Sequence, residues 1–202
     1  MSTPPLAHIV DDDDAIRDAL AWLFRTRSVA CKAWDSGEAF LAAWDPEWRG
    51  CIVLDIRMRG MSGLECFDAL LERENSMPVI FLTGHGDVPM AVGALKKGAF
   101  DFLEKPFKDN DLVDVVIRAI SSDTRHHATQ ESQASIASRL TLLTPREQEV
   151  MQLVLAGKFN KVIADQLNIS MRTVEVHRSR VFEKMGVRSA VELAQLLAPG
   201  RD

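Results

Sequence analysis

The sequence has few cysteines, no long hydrophobic run and no signal-peptide pattern at its start. Its three cysteines, Cys31, Cys51 and Cys66, are too few and too scattered for a disulfide framework or a zinc site. Each lies in or near an apolar segment, which predicts a reduced, buried thiol. No apolar stretch approaches the roughly 20 residues that a membrane helix needs, and residues 1–5 lack the charged and hydrophobic parts of a secretory signal. We therefore expect a cytoplasmic protein with no membrane partner.

Charge is divided unevenly along a chain that is long enough for two small domains. From Arg139 onward there are ten Lys and Arg against seven Asp and Glu, a balance of +3. Of the 24 basic and 29 acidic residues in all, this leaves 14 and 22 before it, a balance of −8. An acidic first part suits a metal or phosphoryl site, and a mildly basic second part can approach a polyanion such as DNA.

Carboxylates follow two of the apolar runs. Residues 8–10 lead into four aspartates at positions 11–14, and residues 51–54 lead into Asp55. If the runs are neighbouring parallel strands, these carboxylates share the crevice where open α/β sheets bind ligands. Crowded carboxylates resist ionising unless a cation joins them, and oxygen ligands suit Mg²⁺. The alternative is a helix N-cap and first turn, which accounts for two of the four aspartates.

Two later polar residues extend the predicted metal site to a phosphoryl site. Thr83 follows the apolar run 79–82, and Lys105 follows residues 102–104. Asp55 would then accept a phosphoryl group beside Mg²⁺, with Thr83 hydrogen-bonded to one phosphoryl oxygen and Lys105 neutralising another. A threonine or lysine at a strand end is most often an ordinary surface residue, so the prediction depends on the ordered set of an aspartate pair, a further aspartate, a threonine and a lysine.

The first part of the chain alternates short apolar runs with amphipathic stretches, which is typical of a parallel sheet covered by helices. After the first run, Ile16, Leu20, Leu23 and Phe24 recur at helical spacing. Strands are predicted near residues 7–10, 30–34, 51–54, 78–82 and 100–104, and further helices near 36–44, 63–73, 89–97 and 110–120. These five βα units predict a flavodoxin-like α/β domain with its crevice between the first and third strands.

Four short motifs, residues 54–58 (LDIRM), 61–63 (MSG), 83–91 (TGHGDVPMA) and 104–107 (EKPF), resemble the receiver domain of two-component response regulators, and within it the FixJ group. The resemblance covers roughly residues 5–121, and we assign residues 1–121 to this domain. It implies that Asp55 is phosphorylated and that Thr83 and Lys105 contact the phosphoryl group. It also implies a Mg²⁺ site made of Asp11, Asp12, Asp55 and the backbone carbonyl of Arg57. Phe102 falls at the position of the family's aromatic switch.

One position departs from the pattern of this group. The residue after Met58, usually proline, is Arg59. We expect a less rigid loop with added positive charge close to Asp55, and therefore altered phosphorylation kinetics and metal affinity.

Residues 122–138 are predicted to be an interdomain linker. They hold one large aliphatic residue, Ile136, which argues against packing into either core. The absence of proline and glycine leaves a partly helical linker open. The pair His126 and His127 has no further ligand-type cluster around it, so we do not expect a metal site there.

Residues 139–202 contain the pattern of a small helical domain. Thr144, Pro145 and Glu147 form a capping box with proline at the first helical position, and Gly157 ends that helix. Helices over 160–167 and 172–185 around a turn at 168–170 predict a helix-turn-helix, and Ser189 begins a fourth helix with another capping box.

The outward face of the third helix mixes cations, a carboxylate and small groups, which suits a DNA major groove as well as a merely solvated surface. The LuxR-type helix-turn-helix domain is resembled by residues 143–150, 160–161, 163–164, 169–170, 173–178 and 184–187, and this resemblance decides between the two. It implies that the third helix enters the major groove. The candidates for base edges are Glu175, Val176 and Ser179, and those for phosphates are Lys161, Thr173, Arg178, Arg180 and Lys184. His177 is expected to cap or pack within the domain.

The combined interpretation is a DNA-binding transcription regulator that a sensor histidine kinase switches. By resemblance, phosphorylation draws Thr83 inward, Phe102 follows, and two copies pair through the fourth helix and fifth strand, with Val88, Pro89, Met90, Val92 and Phe102 as apolar candidates. RNA polymerase is a further candidate partner, and we expect no turnover enzyme. One alternative is a receiver that only drains phosphoryl groups. Another is an aspartyl-phosphate hydrolase, whose general acid two residues after the nucleophile is replaced here by Arg57.

Overall fold

The computed structural model describes residues 4–84 and 88–198, in a chain that divides into two compact units, Met1–His127 and Ala128–Asp202. The first unit contains a five-stranded sheet of order β2-β1-β3-β4-β5 in which every pair is parallel. The strands are β1 Leu6–Val10, β2 Cys31–Trp34, β3 Gly50–Asp55, β4 Val79–Thr83 and β5 Asp101–Glu104. The predicted flavodoxin-like topology is confirmed, and the strands begin and end within one residue of the predicted bounds.

Helices cover both faces of this sheet, as parallel strands require. They are α1 Asp14–Thr26, α2 Gly37–Ala43, α3 Gly63–Glu72, α4 Val88–Lys96 and α5 Asp109–Thr141. One buried cluster joins residues of α1 and α5 to one sheet face, and the other joins α2, α3 and α4 to the opposite face. The central strand β3 is buried along its whole length, which explains its uninterrupted apolar sequence.

The four aspartates at positions 11–14 divide into two pairs. Asp13 is the N-cap of α1 and accepts hydrogen bonds from Ala15 N and Ile16 N, while Asp14 lies in the first turn, where the helix dipole favours an acid. Helix capping therefore accounts for these two. Asp11 and Asp12 lie between β1 and the cap, which leaves their carboxylates for the crevice.

Helix α5 is longer than its sequence indicates. It was predicted over residues 110–120, but it begins at Asp109 and continues to Thr141, so the segment expected to be a linker is helical. Contrary to expectation, two residues of this segment are packed. Asp123 is 1% exposed and accepts a hydrogen bond from Gly50 N at 2.9 Å, and Ile136 packs against the core of the second unit.

The second unit contains α6 Pro145–Leu155, α7 Asn160–Leu167, α8 Met171–Met185 and α9 Ala190–Leu197. The capping box of Thr144 and Glu147 is present, and the turn between α7 and α8 uses Asn168 in the left-handed conformation followed by Ser170 as the N-cap of α8. Apolar residues from all four helices form one core. In the part of the chain that the structure describes, none of the helices has the length and apolar content needed to cross a membrane.

Candidate functional sites

The first candidate site lies at the C-terminal ends of the strands. Asp55 is the last residue of β3 and Asp11 follows β1, and these strands pair with Val10 opposite Leu54. Lys105 follows β5 and reaches across to both carboxylates. Its Nζ lies 2.6 Å from Asp55 Oδ1 and 3.0 Å from Asp11 Oδ2. Asp55 and Asp11 are 6% and 1% exposed, so one ammonium is shared by two buried carboxylates.

Burial is the largest influence on the Asp55 carboxyl. It raises the pKa of Asp55, and the charge of Asp11 adds to the increase, while the hydrogen bonds from Lys105 and from the backbone of Arg57 act in the opposite direction. Burial disfavours the Lys105 ammonium, but its bonds and charge interactions with both carboxylates outweigh this, and the pKa of Lys105 is raised. The crevice is therefore a place where extra positive charge is favoured.

The Asp12 carboxylate pairs with a different cation, Arg59. Its Oδ2 accepts hydrogen bonds from Arg59 Nε at 2.9 Å and from the backbone Arg59 N at 3.2 Å. The side-chain hydrogen bond from Arg59 is the largest influence on this carboxyl and holds its pKa below the usual range. Sequence reasoning placed a positive charge at this loop but did not identify Asp12 as its partner.

Thr83 lies on β4 and Phe102 on β5, the last two strands in the order of the sheet. Thr83 ends β4, is fully buried, and its hydroxyl donates to Leu103 O at 3.4 Å. Phe102 lies opposite Phe81 in the strand register and packs, half-buried, against the core on the α2, α3 and α4 face. Of the proposed pairing face, Met90 and Val92 are 39% and 40% exposed and Pro89 is exposed, while the side chain of Val88 lies outside the described residues.

The donor set suits Mg²⁺ in kind, because it consists of carboxylate oxygens at one edge of the sheet. Arg57, whose carbonyl is a predicted ligand, donates its backbone N–H to Asp55 Oδ2 at 2.7 Å and so is adjacent. Among the described residues, no three His, Cys, Asp or Glu side chains are already arranged to hold a metal. One of these oxygens, Asp12 Oδ2, is hydrogen-bonded to Arg59.

The second candidate site is the outer face of α8. Four of its residues are exposed: Glu175, Val176, Ser179 and Arg180. The apolar residue Val176 is 44% exposed. Arg172, which sequence reasoning missed, is also exposed. It lies seven residues before Ser179, a spacing that puts both on one helical face.

The remaining candidates in this unit have partners within it or lie on another helix. Thr173 Oγ1 is 2.8 Å from Ser170 Oγ, and Arg178 Nη1 donates to Asn160 Oδ1 at 3.0 Å. Lys184 Nζ lies 2.6 Å from Glu147 Oε2, a carboxylate that is 2% exposed. Lys161 is exposed on α7. Half-buried His177 has a buried Nδ1 without a hydrogen-bond partner among the described residues.

Comparison with known proteins assigns both units. Residues 7–117 match the response regulator receiver domain, and residues 141–197 match the bacterial regulatory proteins of the luxR family. The chain is 50% identical to the C4-dicarboxylate transport transcriptional regulatory protein DctR of Rhodobacter capsulatus over 94% of this chain and 97% of that protein. It is 42% identical to the transcriptional regulatory protein FixJ of Rhizobium meliloti, over 96% and 95% of the two chains.

Solved structures agree with this assignment. The response regulator StyR superposes with a TM-score of 0.88 at 38% identity, over 96% of this chain and 98% of that one. Full-length FixJ from B. japonicum gives a TM-score of 0.60 at 38% identity, over 96% of both chains. This chain belongs to the response regulators of two-component systems, with a receiver domain followed by a LuxR-type DNA-binding domain, and its relatives are transcription regulators.

Proposed function

We propose that Asp55 accepts a phosphoryl group from a phosphohistidine of a sensor histidine kinase in the cytoplasm, and that phosphorylation controls binding of the LuxR-type domain to DNA. The observation that carries the proposal is the position of Lys105, whose ammonium joins Asp55 to Asp11 across the sheet. A cation at that point neutralises the charge that a phosphoryl group brings to a buried carboxylate.

The transfer itself needs little from the protein beyond position and charge. A carboxylate oxygen of Asp55 attacks phosphorus, the P–N bond breaks, and its electron pair leaves on the imidazole, which takes up a proton. Lys105 stays beside the acyl phosphate, and the Thr83 hydroxyl exchanges its weak bond to Leu103 O for a phosphoryl oxygen. Mg²⁺ held by Asp11, Asp12, Asp55 and the Arg57 carbonyl would supply further neutralising charge.

The acceptor is tested with phosphoramidate, a small P–N donor that does not require the unidentified kinase. Wild-type protein should gain one phosphoryl group by mass spectrometry in a Mg²⁺-dependent manner, and Asp55→Asn should gain none. Asp35→Asn removes an exposed carboxylate near the same end of the sheet and should behave like the wild type. A phosphoryl group on the Asp55→Asn protein would refute the assignment.

Phosphorylation is proposed to pair two receivers through α4 and β5. The support is an exposed apolar surface, Pro89, Met90 and Val92, on the helix beside the strand that carries Phe102. When Thr83 turns toward the phosphoryl group, Phe102 follows and reshapes this surface. Sedimentation with and without beryllofluoride, a phosphoryl mimic, tests the step. A monomer in both conditions contradicts it.

DNA contact is proposed for α8, with Glu175, Val176 and Ser179 at base edges and Arg180 with Lys161 on phosphates. Arg180→Gln or Lys161→Gln should each weaken binding about equally for all sequences and lower the salt slope by about one ion. Arg188→Gln removes an exposed cation next to α9 and serves as the charge-matched control. Ser179→Ala should instead change the preferred sequence recovered from a random DNA pool.

The partners of Arg178 and Lys184 modify their proposed roles. Both cations bind groups inside the unit, so their substitution affects folding as well as DNA affinity. We therefore give Arg180 and Lys161 the larger share of phosphate contact.

Whether RNA polymerase is a direct partner is tested by transcription with purified polymerase on a promoter that carries the recovered site.

The site is proposed to act on its own phosphoryl group and not on external substrates. Repeated release of phosphate from small phosphate monoesters would contradict this.

Deletion of residues 139–202 should abolish the transcriptional response in cells. An unchanged response would favour a receiver that only drains phosphoryl groups.

A further inference from the structure

We propose that Arg59 occupies the metal ligand Asp12 in the metal-free protein and must be displaced before Mg²⁺ binds, so that Arg59 lowers the metal affinity of this receiver. The inference rests on the proposed function, because it takes Asp12 as a Mg²⁺ ligand. It concerns a residue that the receiver pattern does not contain, since the group usually has proline at this position.

Arg59 binds Asp12 in two ways that proline lacks. Its Nε donates to Asp12 Oδ2 at 2.9 Å, and its backbone N–H donates to the same oxygen at 3.2 Å. Proline has neither a guanidinium nor a backbone N–H. The departure from the family pattern therefore adds both a charge and a backbone donor to one carboxylate oxygen, across 47 residues of sequence.

The contact also fixes the loop that leads from β3 to α3. Arg57 N donates to Asp55 Oδ2 at 2.7 Å and Met61 N donates to Glu38 Oε1 at 2.8 Å, so the loop is held by a carboxylate on each side of Arg59. This loop carries the Arg57 carbonyl, a proposed metal ligand. Arg59 thus ties Asp12 to this loop in the metal-free state, through a contact that the metal must break.

Every proposed acidic ligand has a cation partner without the metal. Lys105 serves Asp11 and Asp55, and Arg59 serves Asp12. Lys105 is partly buried between its acids, whereas the Arg59 side chain is 88% exposed and can swing into solvent. Arg59 is therefore the cation that leaves. Because an exposed ion pair is weak, removing it should tighten Mg²⁺ binding by no more than about fivefold.

The test is the Mg²⁺ dissociation constant of the full-length protein, measured by isothermal titration calorimetry. Arg59→Ala removes the guanidinium and keeps the N–H, and should bind Mg²⁺ about three- to fivefold more tightly. Arg59→Pro removes both donors and should bind at least as tightly as Arg59→Ala. Arg59→Lys keeps the charge and should stay near the wild type.

Arg118→Ala is the matched control. It removes an exposed arginine that pairs with a carboxylate, Asp101 Oδ2 at 3.1 Å, in the same unit, and it should leave the constant unchanged. A second readout follows Arg59 itself. In the ¹⁵N spectrum, its Nε–H and amide signals should move over the same Mg²⁺ range as the calorimetric titration, whereas the Arg118 Nε–H signal should not.

Three outcomes overturn the inference, and one of them also overturns the metal site. Equal affinities for the wild type and all Arg59 variants would show that the contact does not compete with Mg²⁺. Weaker binding by Arg59→Ala and Arg59→Pro would show that Arg59 assists the metal. Folded wild-type and variant proteins that all fail to bind Mg²⁺ would remove the proposed metal site along with the role of Arg59.

Discussion

The buried histidine in strand β1 makes the stability of the receiver depend on pH. His8 is 1% exposed, and its ring stacks on Trp48 with centroids 4.5 Å apart. Its Nδ1 accepts a hydrogen bond from Trp34 Nε1 at 3.2 Å, so the proton of the neutral ring lies on Nε2. Nε2 has no hydrogen-bond partner among the described residues. A second proton would place an uncompensated charge in this aromatic cluster.

Burial, and next the charge of Lys32, lower the pKa of His8 from 6.5 to about 4. Between these values the unfolded chain binds a proton at His8 that the folded protein does not, so the contribution of His8 to stability falls as the pH falls from 6.5 to about 4 and is constant below that. At about 1.4 kcal/mol per pH unit the loss is about 3 kcal/mol. A domain of this kind has a total stability of about 5–15 kcal/mol, so the loss is large.

The perturbation is His8→Asn, which keeps an acceptor near Trp34 and does not titrate. All four tryptophans, Trp22, Trp34, Trp44 and Trp48, lie in the first unit, so their fluorescence during urea unfolding reports that unit alone. The measured quantity is the difference in unfolding free energy between wild type and variant at each pH.

The expected difference shifts by about 3 kcal/mol against the wild type between pH 6.5 and pH 4. The cavity that asparagine leaves changes the level of the curve but not its slope, because it does not bind protons. Lys32→Gln removes the nearby cation that lowers the pKa of His8, and should narrow the pH range over which the difference changes. A difference that stays constant with pH would refute the reasoning.

Further predictions concern three positions, Gly63, Gly93 and Asp123. A Cβ at Gly63 would overlap the carbonyl oxygen of Asp55, so Gly63→Ala should cost roughly 1–3 kcal/mol in urea unfolding and impair phosphorylation by phosphoramidate. Gly93→Ala, whose methyl meets no described atom within 4 Å, should be neutral or stabilise α4 by up to about 1 kcal/mol. Asp123→Ala leaves the buried Gly50 N–H without its acceptor and should cost about 1–3 kcal/mol, while Asp123→Asn retains an oxygen there and should cost less; equal losses would contradict the role given to this hydrogen bond.

The sheet and the location of the crevice could be predicted because both follow from short-range patterns. Uninterrupted apolar runs are typical of strands covered on both faces, and each run ended beside the polar residue that the structure places at the strand end. Asp55, Thr83 and Lys105 were located in this way. The division of the four aspartates also followed from local rules, since Asp13 and Asp14 are explained by helix capping alone.

What could not be predicted depends on side-chain pairs between distant parts of the chain. The contact of Arg59 with Asp12 spans 47 residues, and that of Lys184 with Glu147 spans 37. Composition likewise failed for the continuation of α5. Its polar sequence indicated a linker, but Asp123 is buried and accepts a hydrogen bond from Gly50 N, which no count of apolar residues would reveal.

The internal pairs of the second unit bear on the DNA reading proposed for α8. Arg178 and Lys184 are held by Asn160 and Glu147, so they fix α8 against the helices behind it. The exposed stripe of Arg172, Glu175, Val176 and Ser179 then projects from a helix whose rotation about its axis is set by those pairs. Base readout requires side chains held in a fixed register with the groove. A substitution at Arg178 or Lys184 should therefore reduce sequence preference through loss of orientation, even though neither residue needs to contact a base.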